Sequence, residues 1–262
     1  MKVIDLTEEH KSSYMVCLED WSDEIKDVSH VKEEWYNKMK DQGLRVKLAQ
    51  NEQGVVGGMI QYFPIEHSWV EGKDLYFIGC ILVYGNKQGR GDFRNQGMGK
   101  AMVKAAEEDA RQIGAKGIVA WGSSLPVWMK ASWFKKQGYV AVDKKGLLGE
   151  VLLWKPFTED AEPPKWIKQK KKPEKGSNKV KVTCLNHGWC PARNLASERT
   201  KEVAAEFGDM VEVESINTFD KAAFDEWGVT DAIFIDGKKV SSGLPPTKEK
   251  LRKIMENKIR NK

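Results

Sequence analysis

At 262 residues, with 40% hydrophobic and 31% charged side chains, the chain has apolar material for two modest cores and not the composition of a disordered protein. Its longest apolar stretch, residues 76–84, is about half of what a bilayer requires, and the start Met1-Lys2-Val3-Ile4-Asp5 lacks a signal peptide's apolar run, so a cytoplasmic, non-membrane protein is expected. The net charge of +5 is local: residues 165–181 hold eight Lys and one Glu, the remainder is slightly acidic, and a nucleic-acid partner is therefore not expected.

In chain order, residues 2–6 read as a strand, and Thr7 is placed to cap a helix over 8–18. Ser29 opens a second helix to about 40, ended by Gly43. Residues 44–49 alternate apolar and polar, 51–54 form a turn, and 55–63 read as the returning strand of a hairpin. The near-continuous apolar run 75–83 suits a central strand buried on both faces. A Gly-rich loop over 85–99 precedes a helix over 99–113, a strand over 117–121, a helix near 127–137 and a last strand over 147–154. Residues 156–178, with four Pro and most of the local lysines, read as a linker. Beyond it the pattern is strand 180–185, helix 192–207, strand 210–216, helix 221–227, strand 232–235, turn 236–237 and helix 247–259. This divides the chain into domains 1–155 and 179–262, expected to survive separation near residue 170.

The four cysteines, Cys17, Cys80, Cys184 and Cys190, form neither a disulfide framework nor a zinc-type Cys-x-x-Cys pair, so no metal site is expected. The most informative stretch is Arg94-Asn95-Gln96-Gly97-Met98-Gly99-Lys100, set between a buried strand and an amphipathic helix. Two glycines one residue apart let backbone approach a pyrophosphate, and the helix's first N–H groups and positive dipole end bind its charge. A Rossmann site would need Gly-x-Gly-x-x-Gly after the first strand, and a Walker loop needs Gly-Lys-Ser/Thr. Neither is present.

In this setting Arg-x-x-Gly-x-Gly resembles the acyl-CoA loop of the Gcn5-related N-acetyltransferases (GNAT), and the element order of residues 1–155 is similar. The resemblance implies an α/β GNAT fold, a mixed sheet with flanking helices, and acetyl-CoA as cosubstrate. It further implies that residues 94–100 hold the CoA pyrophosphate and that Ile81, Leu82 and Val83 offer backbone groups to the pantetheine. Residues 84–93 are an insertion, longer than usual in the family, whose Gly-Arg-Gly-Asp-Phe piece is expected to close over substrate or CoA. Ala131-Ser132-Trp133-Phe134 through Gly138-Tyr139 looks like the family's Ala-x-x-Tyr-x-x-x-Gly-Phe, with Phe134 at the position of the tyrosine that protonates the leaving thiolate. Ser132, Cys80 or solvent remain for that task. For deprotonating the amine, Glu66 and His67 are the candidates, since a carboxylate acting through water or an imidazole suits it. Trp69, Trp121, Trp128 and Trp133 are candidate walls of an apolar acceptor pocket, with core packing as the plainer reading.

Gly188-Trp189-Cys190-Pro191-Ala192-Arg193 places a thiol at a helix N-terminus, an environment that lowers a cysteine pKa. With 234–238 as a late hairpin, this stretch resembles a thioredoxin-like fold, and the two-domain arrangement resembles YoaP-like proteins. Arg193 stands where the second active-site cysteine would be, and Asp231 where thioredoxins carry a cis-proline, so the usual dithiol exchange is not available. Two readings follow. The first is an N-acetyltransferase acting on a small-molecule or peptide amine with an accessory tail. The second is a thiol-redox or thiol-binding protein acting through Cys190, with a CoA-sensing first domain. An adaptor acting through the lysine-rich linker is a third and weaker one.

Overall fold

The computed structural model describes residues 1–86, 88–125, 129–146, 149–241 and 245–262. The chain divides into two compact units, residues 1–21 with 37–167, and residues 22–36 with 168–262. The second unit thus begins near the expected linker. It also takes in 22–36, a segment that sequence reading assigned to the first domain.

The elements of residues 1–167 are β1 (Lys2–Asp5), α1 (Glu8–Met15), α2 (Asp23–Asp27), α3 (Ser29–Met39), β2 (Arg45–Gln50), β3 (Val56–Pro64), β4 (Leu75–Val83), α4 (Met98–Gln112), β5 (Gly117–Ser123), α5 (Ala131–Lys136), β6 (Val140–Lys144) and β7 (Glu150–Pro156). The strands form one seven-stranded sheet in the order β1-β2-β3-β4-β5-β7-β6. All neighbours are antiparallel except β4 and β5. β3 and β4 are buried almost throughout, because they lie mid-sheet with both faces covered. On one face α4 buries Met98, Met102, Val103, Ala106 and Ala110, spaced for one helical stripe. The Tyr62 hydroxyl donates to Asp109 of α4 at 2.5 Å. On the other face Tyr14 of α1 donates to Gln61 at 2.8 Å.

Three features depart from the sequence reading. Helix α1 stops at Met15, because Cys17 and Leu18 take left-handed φ values of 50° and 63° and the Leu18 amide bonds back to the Ser13 carbonyl at 2.9 Å. α2 is a short helix capped by Ser22, whose hydroxyl accepts from the Ile25 amide at 3.4 Å. β6 was not expected: it is mostly exposed and has no apolar alternation, so only its ladder with β7 defines it. The expected position Leu147 lies outside the described residues.

The segment read as a linker is ordered on both sides. Lys165–Trp166 pairs with Val70–Glu71, and Trp166 is 5% exposed beneath the Lys145 ammonium, 4.0 Å from its ring. In the second unit the Lys170 amide donates to the Trp227 carbonyl at 2.9 Å.

That second unit comprises β8 (Val180–Asn186), α6 (Pro191–Ala205), β9 (Val211–Asn217), α7 (Lys221–Trp227), β10 (Ala232–Ile235), β11 (Lys238–Ser241) and α8 (Lys248–Ile259). Its sheet runs β9-β8-β10-β11, with β8 parallel to β9 and antiparallel to β10. Val180, Val182, Ile235, Val203, Leu251 and Met255 make its core.

Candidate functional site

The loop after β4 ends at Gly97, whose φ of +82° is strained for any residue with a Cβ, and α4 starts immediately. The first helical bond there runs from the Ala101 amide to the Gly97 carbonyl at 3.0 Å. The amides of Met98, Gly99 and Lys100 therefore have no intrahelical acceptor. They open into a cleft of about 410 Å³ lined by residues 92–95 and 97–100, Val83 and Trp133. Apart from the local backbone and chain neighbours, nothing lies within 4 Å of where a Gly97 Cβ would stand, whereas at Gly99 the Trp133 ring would be 3.2 Å away. The cleft is thus a bare helix N-terminus walled by an indole, fitted to an anion with flat or apolar attachments.

Arg94 lies at the rim and is exposed. Asp92 holds it in a fork, accepting from Nε at 2.9 Å and Nη2 at 2.6 Å, which raises the arginine pKa further. In the preceding insertion Arg90 donates to Asp20 at 3.0 and 2.6 Å, to the Ser13 hydroxyl at 2.5 Å and to the Val56 carbonyl at 3.2 Å. Asp92 and Phe93 from its end line the cleft.

Beside the cleft the sheet opens. β4 and β5 pair only from Leu75↔Gly117 to Phe77↔Val119. Past Phe77, β4 keeps β3 on one side and has no strand partner on the other among the described residues. A bulge lies at this point, where Gln61 faces Cys80 but Tyr62 faces Ile78, so Gly79 is the extra residue that bends the strand. Trp121 of β5 reaches across and donates from Nε1 to the Gly79 carbonyl at 3.0 Å. Ile81, Leu82 and Val83 lie on this run past the end of the β4–β5 ladder, and one end of it meets the cleft at Val83.

The remaining sequence candidates are dispersed. Exposed Glu66 and half-buried His67 sit in the turn after β3. Pro64 pairs with Tyr76, so they lie near the start of β4, roughly 20 Å along the strand from its Val83 end at about 3.3 Å per residue. Ser132 is exposed on α5, and Phe134 is fully buried, packed edge-on against Trp133 and Tyr139 at ring distances of 5.1 and 5.4 Å. Trp69 and Trp121 are buried at a ring distance of 6.5 Å, Trp133 faces the cleft, and Trp128 lies outside the described residues. Sequence reasoning missed Asp92 as partner of Arg94 and the Tyr14–Gln61 pair. The latter is 47 residues apart and leaves no local signal.

In the second unit Cys190 caps α6 with Pro191 in its first turn and is half-buried. Trp189 is 1% exposed, and its Nε1 donates to Asp231 at 2.9 Å. The other oxygen of Asp231 accepts from the His187 amide at 3.2 Å. Asp231 thus braces the cysteine turn by hydrogen bonds. Cys184 is 1% exposed, and burial pushes its thiol up to about 11, which leaves it unsuited to resolve Cys190 by thiolate attack.

Residues 4–139 match the model of the acetyltransferase (GNAT) family. The chain belongs to this family. Residues 178–256 match the thioredoxin domain model. Among solved structures, ribosomal-protein-alanine N-acetyltransferase from Brucella melitensis is similar at 17% identity and TM-score 0.45, covering 60% of this chain and 100% of its own. A GNAT acetyltransferase from the same organism, in complex with acetyl-CoA, is 14% identical at TM-score 0.41, covering 63% and 94%. YhbS from Escherichia coli, in complex with CoA, is 13% identical at TM-score 0.43, covering 61% and 82%. No curated protein matches the sequence. As a member of its family, the acetyltransferase is an acyl-CoA-dependent N-acyltransferase with a thioredoxin-like second unit. Among the described residues no helix is long and apolar enough to cross a membrane.

Proposed function

We propose that this cytoplasmic acetyltransferase moves an acetyl group from acetyl-CoA to the amine of a small molecule or peptide by direct attack. The observation that carries this reading is the junction of two features. A bare helix N-terminus at 97–100 opens on a cleft, and the cleft meets the run Ile78–Val83 of β4, which lies past the end of the β4–β5 ladder at Phe77 and Val119. The first binds the pyrophosphate, with Arg94 at its rim. The second offers the backbone groups of Ile81, Leu82 and Val83 to the amide-bearing pantetheine arm, as another strand would.

An arm laid along β4 from Val83 points its thioester toward the bulge and the strand's start. Glu66 and His67 lie on that side, and one of them takes the amine's proton directly or through water. The amine nitrogen bonds to the carbonyl carbon, and the C–S bond breaks with its electrons on sulfur. The thiolate is protonated from Ser132 or solvent, since Phe134 has no proton to give. Cys190 takes no part in the transfer. At a helix N-terminus, with Arg193 at the position of the second active-site cysteine, it serves the tail in binding a thiol or disulfide, an accessory role.

The test is release of free CoA thiol from acetyl-CoA with a panel of simple amines, amino acids and aminoglycosides. Amine-dependent release by at least one class, lost on Glu66→Gln or His67→Gln, is the expected result. Absence of any release, together with absence of acetyl-CoA binding, overturns the proposal.

A further inference from the structure

Gln61 is fully buried in the middle of β3, and the structure fixes which way its amide faces. Tyr14, itself fully buried, donates its hydroxyl to Oε1 at 2.8 Å. The Nε2 end has no acceptor among the described residues. A buried amide donor left without a partner costs about 1–3 kcal/mol, and such groups are rare enough to require a reason.

The reason lies opposite it. Gln61 pairs with Cys80 across the bulge. A Cβ on Gly79 would stand 3.6 Å from Gln61 Nε2 and 2.7 Å from the Phe63 ring. The glycine therefore lets the amide face bare backbone where the β4–β5 ladder has just ended. The Gly79 carbonyl is already taken by Trp121 from the other side. What remains is one oriented donor on the side of the Phe63 ring, which packs on Phe77 and Trp69, with Trp69 on Trp121, at ring distances of 4.9–6.5 Å. An apolar wall with a single N–H suits a short acyl group that presents one carbonyl oxygen.

We propose that Gln61, held in orientation by Tyr14, donates from Nε2 to the carbonyl oxygen of the acyl thioester at the β4 bulge. This rests on the acetyl-CoA reading above. When the amine attacks, that oxygen gains negative charge, and the donor's hold on it strengthens. As the C–S bond breaks, the amide carbonyl of the product inherits the contact. Tyr14 is a positioning residue: its hydroxyl occupies Oε1 and so directs Nε2 to the ligand.

The test uses the full chain and needs no knowledge of the acceptor. Acetyl-CoA and CoA are titrated by calorimetry into the wild type, Gln61→Met and Tyr14→Phe. Because only acetyl-CoA carries the carbonyl, the wild type is expected to prefer it to CoA about fivefold. Gln61→Met is expected to erase the preference while leaving CoA affinity unchanged, and Tyr14→Phe, which removes one oxygen atom, to reduce it at least twofold. If Gln61→Met does not fold, Tyr14→Phe decides the matter by itself. A wild-type acetyl-CoA preference kept in the folded variants overturns the inference alone. If the wild type binds neither compound, the acetyl-CoA reading falls and the inference falls with it.

Discussion

Trp121 donates from its indole N–H to the carbonyl of Gly79 at 3.0 Å, across two strands whose ladder has stopped at Phe77 and Val119. The bond holds the opened strands at a fixed separation and satisfies a carbonyl that the bulge would otherwise strand. Trp121→Phe removes the donor together with part of the buried ring. The expected loss is about 1–3 kcal/mol of stability, read as a lower urea midpoint at unchanged slope. A midpoint unchanged within error would show that the bond does not hold the opening.

Asp231 is buried and accepts two hydrogen bonds around the cysteine turn. Asp231→Ala orphans a buried indole N–H and a backbone amide together, with an expected cost of about 2–4 kcal/mol. Tryptophan emission should shift red as Trp189 leaves its site. Wild-type emission and midpoint would contradict the bracing role.

Much of the fold is legible from local pattern. The alternation in 44–49, the apolar run 75–83 and the glycines at 97 and 99 carry their own structural meaning, because strand period, double-sided burial and helix-start geometry are local properties. What is not legible depends on distant partners. Tyr14 and Gln61 meet across 47 positions. Helix α1 ends early through a left-handed pair, Cys17 and Leu18, that helix propensity does not announce. β6 exists only by its ladder. Ile25, Val28 and Trp35 are buried in a segment that groups with the second unit, and their spacing marks an amphipathic stripe without saying what it covers.

That segment bears on separation of the two units. A Cβ on Gly188 would stand 3.3 Å from Trp35 Cβ, so α3 packs directly against the turn before Cys190. A fragment of residues 168–262 is therefore expected to be less stable than the same unit in the whole chain by about 3 kcal/mol or more, given about 1.5–3 kcal/mol for each large apolar side chain buried. A peptide of residues 22–36 added in trans should recover part of it. Equal hydrogen-exchange protection of β8 and β10 in fragment and whole chain would refute this.

The two cysteines of the second unit should behave differently. With its thiol pushed up to about 11 by burial, Cys184 stays protonated at pH 8 and should resist iodoacetamide in the native protein, while half-buried Cys190 reacts first. Mapping the alkylated sites by mass spectrometry checks the order. Cys190→Ser should keep kcat for acetyl transfer within about threefold. A loss beyond about tenfold, or about 1.4 kcal/mol, would join the thiol to the transfer reaction and contradict the proposed division of roles.

The central claim is that the bare N-terminus of α4 is the acyl-CoA site, and Gly97 tests it most directly. Apart from the local backbone and chain neighbours, nothing lies within 4 Å of a Cβ there, so Gly97→Asp introduces backbone strain of about 1–2 kcal/mol and a carboxylate where the pyrophosphate binds. Calorimetric titration of acetyl-CoA into wild type, Gly97→Ala and Gly97→Asp should show tight binding, binding weakened by less than about tenfold, and no measurable binding, in that order, with all three folded. Wild-type affinity in a folded Gly97→Asp protein would contradict the account.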